Sequence, residues 1–128
     1  MAITKPTNTD LIRPLEGAIT RRCTVGSGGV TAGDIVAGAA TGVVVCDGDS
    51  AGSKVPLGIA VKTGSAGDTI PVVVFGAVGG FTGATVGVEI YPDDTTAGLP
   101  VETASTNKYS VGNTLAATTV FVRVVYVA

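Results

Sequence analysis

The sequence predicts an all-β protein, a small β-barrel or β-sandwich with an extended N-terminal arm. Three observations carry that expectation. Val, Ile and Thr together number 46 of 128 residues, against 17 for Leu, Met, Lys, Arg, Glu and Gln combined. Side chains branched at Cβ are stiff about χ1 and suit a pleated surface better than a helix. The apolar residues fall in short runs, and none repeats at i, i+3, i+4 and i+7 as an amphipathic helix requires. Glycine supplies 19 residues, about twice its usual share, and separates the runs where chain reversals are needed.

Taken in order, residues 1–16 form the arm. Thr4 to Pro14 is polar, contains Pro6 and Pro14, and shows neither helical nor alternating periodicity. It reads as an extended segment that needs a partner to become ordered. Residues 17–128 form a single β-domain. Its predicted strands are Ala18–Val25, Asp34–Ala37, Gly42–Cys46, Leu57–Lys62, Thr69–Phe75, Val88–Tyr91, Lys108–Val111 and Thr119–Val127. In the last of these Arg123 alone interrupts an apolar run and shares a face with Phe121, so its head must reach an edge, a carboxylate or a subunit interface.

One local pattern recurs: Ser or Thr, then Ala or Val, then Gly, then two free positions and an aliphatic residue. The copies begin at Thr31, Ser65, Thr85 and Ser110, with glycines at 33, 67, 87 and 112. Each reads as a turn leading into a strand, the glycine taking φ > 0. The spacing of the glycines is too irregular for a solenoid.

Composition also excludes functions. The chain has no His and no Trp. Without His there is no Ser–His or Cys–His nucleophile pair, no histidine base and no metal site of the His-containing kinds, so the expectation is a non-enzyme with no cofactor and no metal. Gly48-Asp49-Ser50-Ala51-Gly52 matches the G-x-S-x-G elbow, but the strand-to-helix turn and histidine that motif needs are missing. A small hydrolase built on Ser50 is therefore set aside. Asp47 and Asp49 begin like a calcium loop, yet position five is Ala51 and position twelve Gly58. Asp93-Asp94 reads as an acidic turn. Lys62-Thr63-Gly64 precedes Ser105-Thr106-Asn107-Lys108, the reverse of the order in penicillin-recognising enzymes. Gly26-Ser27-Gly28-Gly29 and Gly79-Gly80 lack the lysine and the strand-loop-helix setting of a phosphate cradle. Cys23 and Cys46 read as two small buried thiols rather than a disulfide scaffold.

Leu, Ile, Val and Phe make up 36 residues, enough for a core, and no apolar run approaches the length of a membrane helix. Met1 to Asn8 lacks a signal-peptide apolar region, so export by that route is not expected. Net charge is −2, unevenly spread. Residues 1–22 carry Lys5, Arg13, Arg21 and Arg22 against Asp10 and Glu16, whereas residues 23–107 carry eight acidic and two basic side chains. This basic lead is too sparse for nucleic acid and suits contact with an acidic protein surface.

The runs Val30-Thr31-Ala32-Gly33-Asp34-Ile35-Val36, Val55 to Val61 and Gly67 to Gly76, with the closing stretch Tyr109–Val127, resemble the capsid cement, or head decoration, proteins of tailed bacteriophages. The resemblance covers roughly residues 17–127. It implies a compact β-domain that assembles as a homotrimer on the outer capsid surface of the virion, after synthesis in the host cytoplasm. There it would bridge major capsid protein subunits, with no nucleic-acid or membrane partner. The expected contact residues, on capsid or on a neighbouring protomer, are Lys5, Pro6, Arg13, Pro14, Arg21 and Arg22. The alternative is a head-fibre or receptor-binding module whose loops recognise host carbohydrate. Against it, the six aromatic residues lie mostly within or next to predicted strands rather than in exposed loops.

Overall fold

A computed structural model describes residues 3–48, 55–103 and 109–126, with residues 125 and 126 described by backbone alone. The chain is all-β, as its branched side chains and glycine punctuation predict. Among the described residues, ten strands follow a single 3-10 turn at Thr9–Leu11: β1 (Arg13–Pro14), β2 (Ile19–Thr24), β3 (Ile35–Ala39), β4 (Gly42–Val45), β5 (Pro56–Ala60), β6 (Thr69–Gly79), β7 (Glu89–Pro92), β8 (Pro100–Val101), β9 (Tyr109–Ala116) and β10 (Thr119–Tyr126). Among the described residues no helix is long and apolar enough to cross a membrane.

The strands lie in the order β4-β3-β5-β6-β10-β9-β7-β8, with β1 and β2 on the far edge of β6. All these pairings are antiparallel. β6 is the shared spine. Its first half lies between β2 and β5, where Val73 pairs with both Thr20 and Ile59; its second half lies between β1 and β10, where Gly79 pairs with both Arg13 and Thr119. A parallel bridge from Val25 to Val43 brings the end of β2 towards β4, curling β4-β3-β5-β6-β2 into a half-barrel. Sequence alone suggested that β6 stops at Phe75. It runs four residues further, because Gly76, at φ 116°, passes close to Ala18 instead of turning the chain. Val74 is left as an extra residue between the Phe75–Ile19 and Val73–Thr20 pairs, a β-bulge that re-aims the strand.

Alternation along the strands builds two cores. Ile35, Ala37, Ile59 and Val73 face Ile90, Val111, Val120 and Val122 across the larger one. Their neighbours Val36, Ala60 and Val72 point the other way, into a smaller core with Val25, Val30, Val43 and Ile70 inside the half-barrel. β3, β5 and β6 are thus apolar on both faces, which is why they read as continuous runs rather than alternating ones. Each fully buried Ile or Val contributes about 1.5–3 kcal/mol relative to exposure.

The turn pattern holds for three of its four copies. Gly33, Gly67 and Gly87 have φ of 91°, 93° and 85° and lead into β3, β6 and β7. The fourth is corrected: Ser110–Leu115 lies wholly inside β9. Gly112 is required there for close approach, since a Cβ would sit 1.9 Å from the Phe121 carbonyl oxygen of β10.

The arm also departs from expectation. Residues 3–15 are laid against their own domain rather than held out for a partner. Ile3 and Ile12 are buried in the larger core, Thr4 pairs with Thr82, and β1 adds to β6. Two aliphatic side chains nine residues apart were too sparse to register as a periodic pattern, yet each finds an apolar seat.

Candidate interaction surfaces

The six expected contact residues fall into three settings. Lys5 is engaged within the chain: its Nζ donates to Asp34 Oδ1 at 2.6 Å, with both side chains mostly buried. Asp34 is held by the turn it closes, its Oδ2 accepting from the Thr31 amide at 2.8 Å. The Lys5 stem lies over Gly33, where a Cβ would come within 2.6 Å of Lys5 Cδ. Lys5 is therefore a latch for the N-terminal segment, a role within the chain that charge counting did not expect.

Pro6 and Arg13 line an open cavity of about 290 Å³ between the segment and the end of β6. Leu11, Leu15 and Phe81 supply its apolar wall, and Thr82, Thr118 and Thr119 its polar rim. Arg13 Nη1 donates to the Leu11 carbonyl at 3.2 Å, which folds the guanidinium back onto its own segment. Pro14 is exposed in β1, a position compatible with an edge strand because proline has no amide hydrogen to donate. Gly79-Gly80 proves to be the seat of this segment. A Cβ on Gly80 would lie 2.3 Å from the Leu11 carbonyl oxygen, and one on Gly79 would meet Leu15.

Arg21 and Arg22 lie on β2, which is exposed along nearly its whole length and pairs with β6 alone among the described strands. Neighbours in a strand point to opposite faces. Arg21 is opposite Val72, on the side of the smaller core, and Arg22 opposite Pro71 on the other side. The two guanidinium groups therefore flank the open edge instead of forming one patch.

A further surface was not anticipated. Ile19 and Phe75 are cross-strand partners and each is about half exposed, at 55% and 50%. The Phe75 ring meets that of Phe121 edge to face, centroids 5.2 Å apart. Ala77, Phe121, Asn113 and Glu89 form one row across β6, β10, β9 and β7. Of the three destinations its position left open, edge, carboxylate or subunit interface, Arg123 reaches a carboxylate: Nη2 donates to Glu89 Oε1 and Nε to Asn113 Oδ1, both at 3.0 Å. Ser110 Oγ donates to Glu89 Oε2 at 2.5 Å. The sequence signalled Arg123, but Phe75 was invisible as its neighbour because the pairing depends on β6 continuing past Gly76.

Cys46 is buried in the larger core and Cys23 half-buried against the smaller, and both thiols are free. Burial, and after it the Asp47 carboxylate, push the Cys46 thiol up to about 12. Among the described residues no three His, Cys, Asp or Glu side chains gather as a metal site. The G-x-S-x-G match beyond Gly48, including Asp49 of the calcium-like loop, and the Ser105–Lys108 match lie outside the described residues. Thr63 of the K-T-G match accepts from the Ala32 amide at 3.1 Å, a structural role. No protein-family model matches this chain, and no curated protein matches it.

Proposed function

We propose that this chain is a non-enzymatic decoration protein of a tailed-bacteriophage head. In this reading it binds the outer surface of the assembled capsid as a homotrimer and stabilises it by bridging major capsid subunits. The observation that carries the reading is the open edge of β2, with Arg21 on one side of it and Arg22 on the other. A strand edge presents unpaired backbone groups to any partner, and flanking cations select a partner bearing carboxylates. The resemblance of residues 17–127 to the cement proteins supplies the identity of that partner. Repetition in a trimer raises the avidity of a small footprint without tightening any single contact.

The test uses the full chain, since Ile3 and Ile12 of the N-terminal segment are part of the core. Native mass spectrometry gives the assembly state, and co-sedimentation with purified undecorated heads gives occupancy. A trimer that binds heads, with occupancy reduced at least tenfold in the Arg21→Glu/Arg22→Glu variant, supports the proposal. A folded wild-type protein that leaves heads bare overturns it.

A further inference from the structure

The row on the outer face of β6, β10, β9 and β7 has a chemical character that neither core nor edge requires. One end is aromatic: Phe75 is half exposed and its ring meets Phe121 edge to face, which leaves aromatic surface open to solvent. The other end is planar and polar. Asn113 lies directly opposite Phe121, and Glu89 directly opposite Asn113, so aromatic and polar ends are one strand spacing apart, about 4.8 Å.

The polar end is fixed before any ligand arrives. Arg123 Nε donates to Asn113 Oδ1, which sets the amide so that Nδ2 faces away from the guanidinium. Arg123 Nη2 and Ser110 Oγ hold the two oxygens of Glu89. Asn113 Nδ2 and Arg123 Nη1 remain as donors with no partner among the described residues, on side chains already positioned by their neighbours. The Arg123 and Glu89 charges match, so the face selects a neutral ligand rather than an anion.

We infer that this face binds a neutral pyranose: one C–H face of the sugar stacks on the Phe75–Phe121 pair, and its hydroxyls take up the free donors of Asn113 and Arg123 and the remaining lone pairs of Glu89. A pyranose with equatorial hydroxyls has this division, an apolar ring face beside a polar rim. Prior ordering of Asn113, Arg123 and Glu89 reduces the ordering cost of binding. The strand positions of the aromatic residues, which at first argued against a sugar site, are what create the platform. The inference stands apart from capsid binding and is tested apart from it.

The experiment titrates ¹⁵N-labelled full-length protein with methyl β-glucoside, methyl β-galactoside and the methyl β-glycoside of N-acetylglucosamine. Each is taken to about 20 mM, roughly twenty times a dissociation constant of 1 mM. The expected result is saturable amide shifts at Ala77, Asn113 and Phe121 with at least one of them. Asn113→Ala and Phe75→Leu should each weaken that binding about tenfold while leaving the remaining spectrum in place. Phe75→Leu keeps the apolar contact and removes only the aromatic ring, so it separates stacking from folding. Absence of saturable shifts with all three glycosides overturns the inference. So does equal affinity in wild type and both variants.

Discussion

At the scale of single residues, much of this protein turns on acceptors placed to close a turn. In the turns at Gly33 and Gly67, an aspartate follows the glycine and accepts from the amide three residues back, Asp34 from Thr31 at 2.8 Å and Asp68 from Ser65 at 2.9 Å. The third turn has Val88 at that position, and Glu102 supplies the missing oxygen to the Thr85 amide at 2.7 Å. The glycine turns were legible in the sequence; the acceptors were not, since the position after glycine read as free and Glu102 comes from 17 residues away. Asp34 also holds Lys5, so removing either charge strands the other. Lys5→Met should destabilise the fold by about 2–3 kcal/mol, below the 3–5 kcal/mol of a fully buried pair because some solvent reaches the lysine. Denaturant titration measures this, and a loss under 0.5 kcal/mol would show that the latch is only decorative. Cys46 gives a prediction in pH. Its folded pKa is raised from 9.0 to about 12, so the unfolded chain releases that proton first. Its contribution is whole below pH 9 and shrinks as pH rises towards 12. At pH 10.5 wild type should lose about 2 kcal/mol relative to Cys46→Ala, taking pH 8 as reference. Parallel pH profiles for the two proteins would refute this.

At the scale of elements, alternation and glycine punctuation located the main strands, and they failed where glycine served packing instead of turning. Gly76 and Gly112 both looked like strand ends and both lie inside strands, each where a side chain would strike a neighbouring backbone. The N-terminal segment departs from its sequence pattern for the complementary reason. Its order comes from seats elsewhere, on Gly33, Gly79 and Gly80, that no local pattern reveals. Gly80 is the most exacting of these, with φ 106° and a Cβ position 2.3 Å from the Leu11 carbonyl oxygen. Gly80→Ala should cost about 2–3 kcal/mol, combining backbone strain with displacement of the segment. Amide exchange should then show faster opening at Thr4 and Leu15, whose amides donate to Thr82 and Ala77. Exchange unchanged from wild type at both amides would mean the segment is not seated there. Of the expected contact residues, Arg21 and Arg22 lie exposed on β2, whereas Lys5 has an internal partner that charge counting could not foresee.

At the scale of the whole molecule, β6 decides how the two cores relate. Val72 and Val73 are adjacent, yet Val72 enters the smaller core and Val73 the larger. Every route from the half-barrel to β10, β9 and β7 in the hydrogen-bonded order passes through this one strand. A shared spine gives neither core a way to melt while the other keeps its ladder: loosening β6 removes partners from β1, β2, β5 and β10 together. The molecule should therefore unfold in one transition, despite two cores that would look like separate units in a chain joined by a loop. Val72→Ala and Val73→Ala should each cost about 2 kcal/mol, between the usual costs of Ile→Val and Ile→Ala. For a domain of this size that lowers the melting temperature by about 6–12 °C. Both variants should retain a calorimetric enthalpy equal to the van't Hoff value and an unchanged denaturant slope. A second transition in the Val72→Ala protein alone would show that the half-barrel melts independently, and β6 would then be a boundary between two units.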